Sequence, residues 1–340
     1  MRTSLVCAAF AVLCVPADAS AQSIKVTESE ALAQLGDASA RVRAARAAVD
    51  IARADVLAAG RWPNPRVTFN REAVSGIAED MLMVSQALPV TGRRRLEMRA
   101  ANTRVEATSM RADAQIRRLR ADLRLAFTDV WAAQDREREM TRSRDRLNDL
   151  AGILAKREAA GEASGFDRLR AEREVLDVEA GRAMVTSERR QAEAMLAAYL
   201  SRSPDASAIE PIRPSASNMA LPTVEELVAR AESSRPDLRA LARDLEAAGF
   251  AEQAAGRRLI PEPEVVAGTK TSNASGGDVG SIVGVHVSVP LFDPARPERA
   301  MAQARARQAR AEVDVLRQTI RAQITAWRAA LIERRAIADR

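Results

Sequence analysis

Residues 61–95 read RWPNPRVTFNREAVSGIAEDMLMVSQALPVTGRRR, and residues 259–294 read LIPEPEVVAGTKTSNASGGDVGSIVGVHVSVPLFDP. In each stretch a Pro-x-Pro opens two strand-like segments and a further proline closes them. These are Pro63, Pro65 and Pro89 in one stretch and Pro261, Pro263 and Pro290 in the other. The first two pairs lie 198 positions apart and the third 201. An alanine-rich helical run precedes each stretch, Val42 to Gly60 and Leu238 to Gly256. A charged helix follows each, opening at Arg93 and at about Ala295. The same five-part order twice over reads as an internal duplication, with the prolines at the junctions between strand and helix.

The strand-like segments alternate in polarity. Val283, Val285, Val287 and Val289 share one face, and Ile282, Gly284, His286 and Ser288 the other. Val67 and Phe69 alternate with Arg66, Thr68 and Asn70, and Val265, Ala267 and Thr269 alternate with Val266, Gly268 and Lys270. This period of two suits a strand with lipid on one face and water on the other; a half-buried soluble hairpin gives the same pattern. Polar, flexible connections are expected around Ser75-Gly76 and from Ser272 to Gly280. Four strands are too few to close a membrane barrel, whose smallest examples have eight, so strands in a bilayer require several copies of the chain.

Between the strand pairs the chain is helical. From Arg93 to Ala160 there is no proline. Met98, Val105, Ala112, Leu119, Ala126, Ala133, Met140, Leu147 and Leu154 recur every seventh residue, with part of a second seam at Ile116, Leu123 and Val130. A heptad held this long predicts a supercoiled rod on the order of 100 Å in length. It stops at Gly161-Glu162-Ala163-Ser164-Gly165, where one glycine can end the helix and the other can sit in the turn. Ser164 with Asp167 reads as a capping box for a returning helix, which carries Leu169, Leu176 and Ala183 at heptad spacing and runs to about Leu200. Ser201 to Pro222 is a loop joining the halves. Thr223-Val224-Glu225-Glu226 then caps the second half as Thr27-Glu28-Ser29-Glu30 caps the first.

Composition supports long helices over compact domains: aromatics are 3% of the 340 residues, and Ala, Arg, Glu and Leu dominate. The net charge of +6 raises nucleic acid as a partner. Acids accompany the bases throughout, however, and base-stacking aromatics are scarce, so none is expected. Arg2, the apolar run Leu5 to Val15 and Ala19-Ser20-Ala21 form an export signal over residues 1–21, with the mature chain starting at Gln22. Cys7 and Cys14 both lie inside that segment.

These residues together resemble the TolC-like outer membrane factors of Gram-negative tripartite efflux and secretion systems. The resemblance rests on the exported start, the duplicated helix–strand–strand–helix unit, Leu88-Pro89-Val90-Thr91-Gly92-Arg93-Arg94, Val289-Pro290-Leu291-Phe292-Asp293, and the hairpin from Gly161 to Leu169. It implies a mainly α fold with a small β part, in which long antiparallel coiled-coil helices accompany four membrane strands. Three copies would form a homotrimer with a twelve-stranded barrel in outer-membrane lipid and a helical tunnel in the periplasm. It also implies a periplasmic adaptor docking at the hairpin tip, Gly161, Glu162, Ala163, Ser164 and Gly165, and an inner-membrane pump beyond it. The chain then divides into the signal, a first repeat over 22–200, a linker over 201–222 and a second repeat over 223–340. The family pattern has a second full hairpin. Here the helix from Ala295 has 46 residues to the last position where Arg93 to Ala160 has 68, so a second tip and return helix are expected to be missing, as in a fragment or natural truncation.

Catalytic chemistry has little support. His286 is the only histidine, no zinc-ligand spacing or P-loop occurs, and Gly276-Gly277 reads as turn chemistry. Glu172, Glu174, Asp177 and Glu179 read as solvated faces paired with arginines, the alternative being the lining of a tunnel. The sequence therefore points to a passive exit duct with no enzyme activity, cofactor or metal. The rival readings are a soluble periplasmic coiled-coil adaptor, with one hairpin flanked by compact β domains, and a non-functional truncated copy.

Overall fold

The computed structural model describes residues 24–338 except 163, 201–208, 214–219, 275–276, 290–291 and 293–294. The export signal, Ala163, Gly276 and Pro290 thus lie outside the described residues. In order the elements are β1 (Ile24–Val26), α1 (Glu28–Gln34), α2 (Ala40–Gly60), β2 (Arg66–Val74), β3 (Ile77–Ala87), α3 (Arg93–Ala159), α4 (Gly165–Tyr199), β4 (Ile209–Pro211), α5 (Val224–Ser234), α6 (Pro236–Arg257), β5 (Pro263–Ser272), β6 (Asp278–Val287) and α7 (Arg296–Ala338). The chain is mainly helical, and the two proline-bounded stretches are the strand pairs β2–β3 and β5–β6.

Two helix starts are capped alike, bond for bond. Thr27 Oγ1 accepts from the Glu30 N–H at 3.2 Å, while a Glu30 carboxylate oxygen accepts from the Thr27 N–H at 2.8 Å. Thr223 and Glu226 make the same two bonds at 3.2 and 2.8 Å. Each reciprocal pair satisfies two amide groups that have no partner within the helix.

Two compact units share α3: one holds the stretch up to Ser39 with Arg120–Ala216, the other Ala40–Leu119 with Ser217–Arg340. In the first, β1 pairs in parallel with β4, Ile24 opposite Ile209 and Val26 opposite Pro211. The Gln134 side chain donates to the Ile209 carbonyl at 2.8 Å, tying β4 to α3. The joining loop, expected to be irregular, thus contains a strand. Leu123, Phe127, Val130 and Leu196 are fully buried here. Polar bonds lace α3 to α4: Thr186 donates to Glu137 at 2.7 Å, Arg189 pairs with Glu137 at 2.6 Å, and Gln134 donates to Glu193 at 3.1 Å.

All nine residues of the expected long heptad on α3 are buried or half-buried. The seam expected on α4 is a different matter. Leu169 and Leu176 are well exposed, and Leu176 keeps 64% of its surface. The buried positions are Ala171, Val175, Val185, Leu196 and Ala197. Heptad spacing identifies a stripe but not which stripe packs, and the smaller Ala171 and Val175 are the ones turned inward.

In the second unit the strands form one antiparallel sheet in the order β2-β3-β5-β6. The two strand pairs meet where β3 pairs with β5, from Glu79 opposite Ser272 to Ala87 opposite Glu264. The first connection falls where expected, and the second is shorter than expected. β2 and β3 are joined by Ser75 and Gly76 alone, at φ of 52° and 82°, the two positive values a type I′ hairpin requires. Ser272 and Asp278 already belong to strands, which confines the second connection to the stretch between them. Asn273 extends the ladder past β5: its N–H donates to the Ala78 carbonyl at 3.1 Å, and its side-chain oxygen accepts from the Ala78 N–H at 2.8 Å. The helices of this unit bury mostly alanine, as at Ala45 and Ala112 beside Val49, which lets helix backbones approach closely.

Candidate functional site

Register assigns every strand side chain to one of two faces, because directly opposite residues lie on the same side of a sheet. One face carries Val67 opposite Val84, Phe69 opposite Leu82, Val84 opposite Ala267 and Val265 opposite Val285. These side chains are bare: Phe69 keeps 63% of its surface and Val283 82%. Its charged residues are Arg71 and Asp80, directly opposite and ion-paired at 3.6 Å beside the β2–β3 turn. The other face carries Arg66, Glu72, Glu79, Glu264, Lys270, Asp278 and His286. Lys270 pairs with Glu79 at 2.6 Å, and Ser85 donates to Glu264. His286 stands opposite Glu264 in register, exposed. The sheet thus has an exposed apolar face backed by a charged one. The outer edges of β2 and β6 have no strand partner among the described residues, and a bare edge is a template for pairing with another chain.

Of the expected junction residues, Pro63, Pro65, Pro89, Pro261 and Pro263 lie at one end of this sheet. The Gln86 side chain donates to the Pro63 carbonyl at 2.9 Å within the first stretch, and the Leu88 N–H donates to the Pro263 carbonyl at 2.9 Å, tying the first strand pair to the second. Glu262, between Pro261 and Pro263, accepts from Thr91 at 2.8 Å and from Arg93 at 3.2 Å. Burial works against the Arg93 charge, yet its bonds to Glu262 and Glu97 hold the guanidinium above its ordinary value. Arg94 donates through Nε to the Gly60 carbonyl at 2.8 Å and lies over the Trp62 ring, 5.3 Å from its centre. The composition of the junction was legible, but the roles of Gln86, Thr91, Arg94 and Glu262 were not. Gln86 reaches Pro63 before β2, Arg94 reaches Gly60 on the preceding helix and Thr91 reaches Glu262 in the second stretch, and no local pattern points to any of these partners.

At the hairpin tip Gly161 ends α3. Its φ is 74°, its N–H donates to the Glu158 carbonyl at 2.9 Å, and the Glu162 N–H donates to the Arg157 carbonyl at 2.8 Å. That is a Schellman ending built on a left-handed glycine. Gly165 plays another part than the one expected, for it opens α4 with no positive φ, and a Cβ there would lie 2.6 Å from a Glu158 carboxylate oxygen. Only half of the expected capping box at Ser164 forms. Ser164 Oγ accepts from the Asp167 N–H at 3.4 Å, but the Asp167 carboxylate binds that hydroxyl, at 3.1 Å, and not the Ser164 N–H. Aspartate is one methylene shorter than the glutamates at 30 and 226 that complete the box. Arg168 braces the turn, paired with Glu158 at 2.6 Å and Glu172 at 2.7 Å, bonds that hold its guanidinium above its ordinary value. Phe166, 71% exposed, and Leu169 stand beside the turn, apolar groups that glycine and serine signals do not reveal. Of the four acids weighed on α4, Glu172 and Asp177 have arginine partners, Arg168 and Arg173.

No family model matches this sequence, and no curated protein does. Solved structures do. CusC, described as forming a transmembrane channel, is 18% identical, with 92% of this chain and 76% of that chain covered at a TM-score of 0.70. A membrane protein from Pseudomonas aeruginosa is 20% identical, covering 92% and 78% at 0.73. The outer-membrane channel OprN is 22% identical, covering 88% and 71% at 0.65. The fold is that of the TolC-like outer membrane channels. The bare apolar face of the sheet therefore occurs in a fold whose solved examples are membrane channels. Among the described residues, no helix is long and apolar enough to cross a membrane.

Proposed function

We propose that the chain is one protomer of a homotrimeric exit duct in the Gram-negative outer membrane, serving efflux or a type I-like secretion system. Three copies pair β6 of one with β2 of the next and close a twelve-stranded barrel. Its apolar face meets lipid and its charged face lines water. The two repeats and their linker are the organisation of each protomer, and residues 1–21 direct export. The tip at Gly161, Glu162, Ala163, Ser164 and Gly165, with Phe166 and Leu169 beside it, meets a periplasmic adaptor, which connects to an inner-membrane pump. Energy comes from the pump, and the duct makes and breaks no bond.

The observation that carries this reading is the sheet: an exposed apolar face on strands whose two outer edges are open. A soluble adaptor would have one hairpin and no duplicated strand pairs, whereas here β3 and β5 join two such pairs. The test is membrane fractionation of the native protein, combined with cysteines introduced one at a time along β2 and β6. Recovery in the outer membrane as a heat-resistant trimer, with β2–β6 disulfides between copies, is expected. A soluble monomer without such disulfides would overturn the proposal.

A further inference from the structure

Within the second unit, α2, α3, α6 and α7 line an open groove of about 510 Å³ floored by small side chains, among them Ala100, Ala101, Ala255 and Ala302. A smaller cavity of about 180 Å³ adjoins it along α3, α6 and α7. Arg104 of α3 and Arg305 of α7 line both. The acids around them are largely engaged: Glu97 with Arg93, Glu298 with Arg258, Asp244 with Arg111, and Glu312 with the Gln308 amide. Asp55 acts on Arg104 through space. Among the described residues, neither Arg104 nor Arg305 has a hydrogen-bonded or ion-paired carboxylate.

We propose that Arg104 and Arg305 together bind an oxyanion: inorganic phosphate, or the phosphate or carboxylate of a small solute. Guanidinium groups present flat forks of donors that match such groups, and two forks converging on one anion satisfy both cations. Burial of Arg104, and then the like charge of Arg305, hold its guanidinium below its ordinary value, with Asp55 pulling the other way. Two cations over an alanine floor repel each other, and a bound anion removes that repulsion. The alanines leave room that larger side chains would fill, and they supply no competing acceptor. Binding here requires neither assembly nor transport, so it is measured separately from both.

The test is calorimetric titration of the full chain in detergent with inorganic phosphate at low ionic strength, with chloride as the comparison ion. Saturable phosphate binding is expected. Arg104→Gln and Arg305→Gln should each weaken it by about tenfold, and the double variant should lose it. Arg173→Gln, far out on an exposed surface of α4, should bind like the parent. Arg305 is exposed, so Arg305→Gln keeps the test usable if Arg104→Gln fails to fold. Absence of saturable phosphate binding, equal binding of chloride, or unchanged affinity in Arg305→Gln would each overturn the assignment.

Discussion

Thr27 and Thr223 each close a two-bond cap with a glutamate three residues on, and each helix start depends on that pair. Thr27→Ala or Thr223→Ala should cost about 1 kcal/mol locally. Hydrogen exchange at the first-turn amides should speed up about fivefold, whereas Glu226→Gln with Thr223 kept should leave it near the parent rate because glutamine still completes the box. The two tip glycines should separate cleanly. Gly161→Ala forces an L side chain to φ of 74° and should cost about 1 kcal/mol in thermal unfolding of the hairpin. Gly165→Ala meets only the flexible end of Glu158 and should fall within about 0.5 kcal/mol of the parent. Equal effects at both positions would contradict the different roles assigned to them.

Along α3 and α4 the question is which stripe packs. Leu123 is fully buried, and Leu123→Ala should cost about 2–5 kcal/mol in denaturant unfolding. Leu176→Ala, at a position the heptad marks but the structure leaves open, should change stability by less than about 0.5 kcal/mol. The seam on α3 was legible because nine apolar or small positions in register leave one consistent stripe. On α4 three positions were too few, and the true inward stripe holds small residues that hydrophobic spacing under-weights. The strand β4 was illegible for a related reason. Three residues cannot show alternation, and β4 exists through its partner β1 and the Gln134 side chain, both distant in sequence.

At the scale of the whole molecule the two faces of the sheet should respond in opposite ways to a charge. Phe69→Arg or Val283→Arg places a cation on the exposed apolar face and should cost about 2–4 kcal/mol near the middle of a bilayer. Thr68→Arg, on the charged face, should be tolerated. The check is the fraction of each variant recovered from the outer membrane as a heat-resistant oligomer, and equal recovery of all three would remove the two-solvent reading of the sheet. The caps at Thr27 and Thr223, the strand alternation and the long heptad of α3 were determined by the sequence alone, because each depends on residues within a few turns of one another. Tertiary structure decided what depends on distant residues meeting: the pairing of β3 with β5, the face of α4 that packs, the strand hidden in the linker, the lock of Glu262 on Arg93, and the approach of Arg104 to Arg305. Those contacts follow from long-range closure of the chain, and a local pattern leaves their partners unspecified.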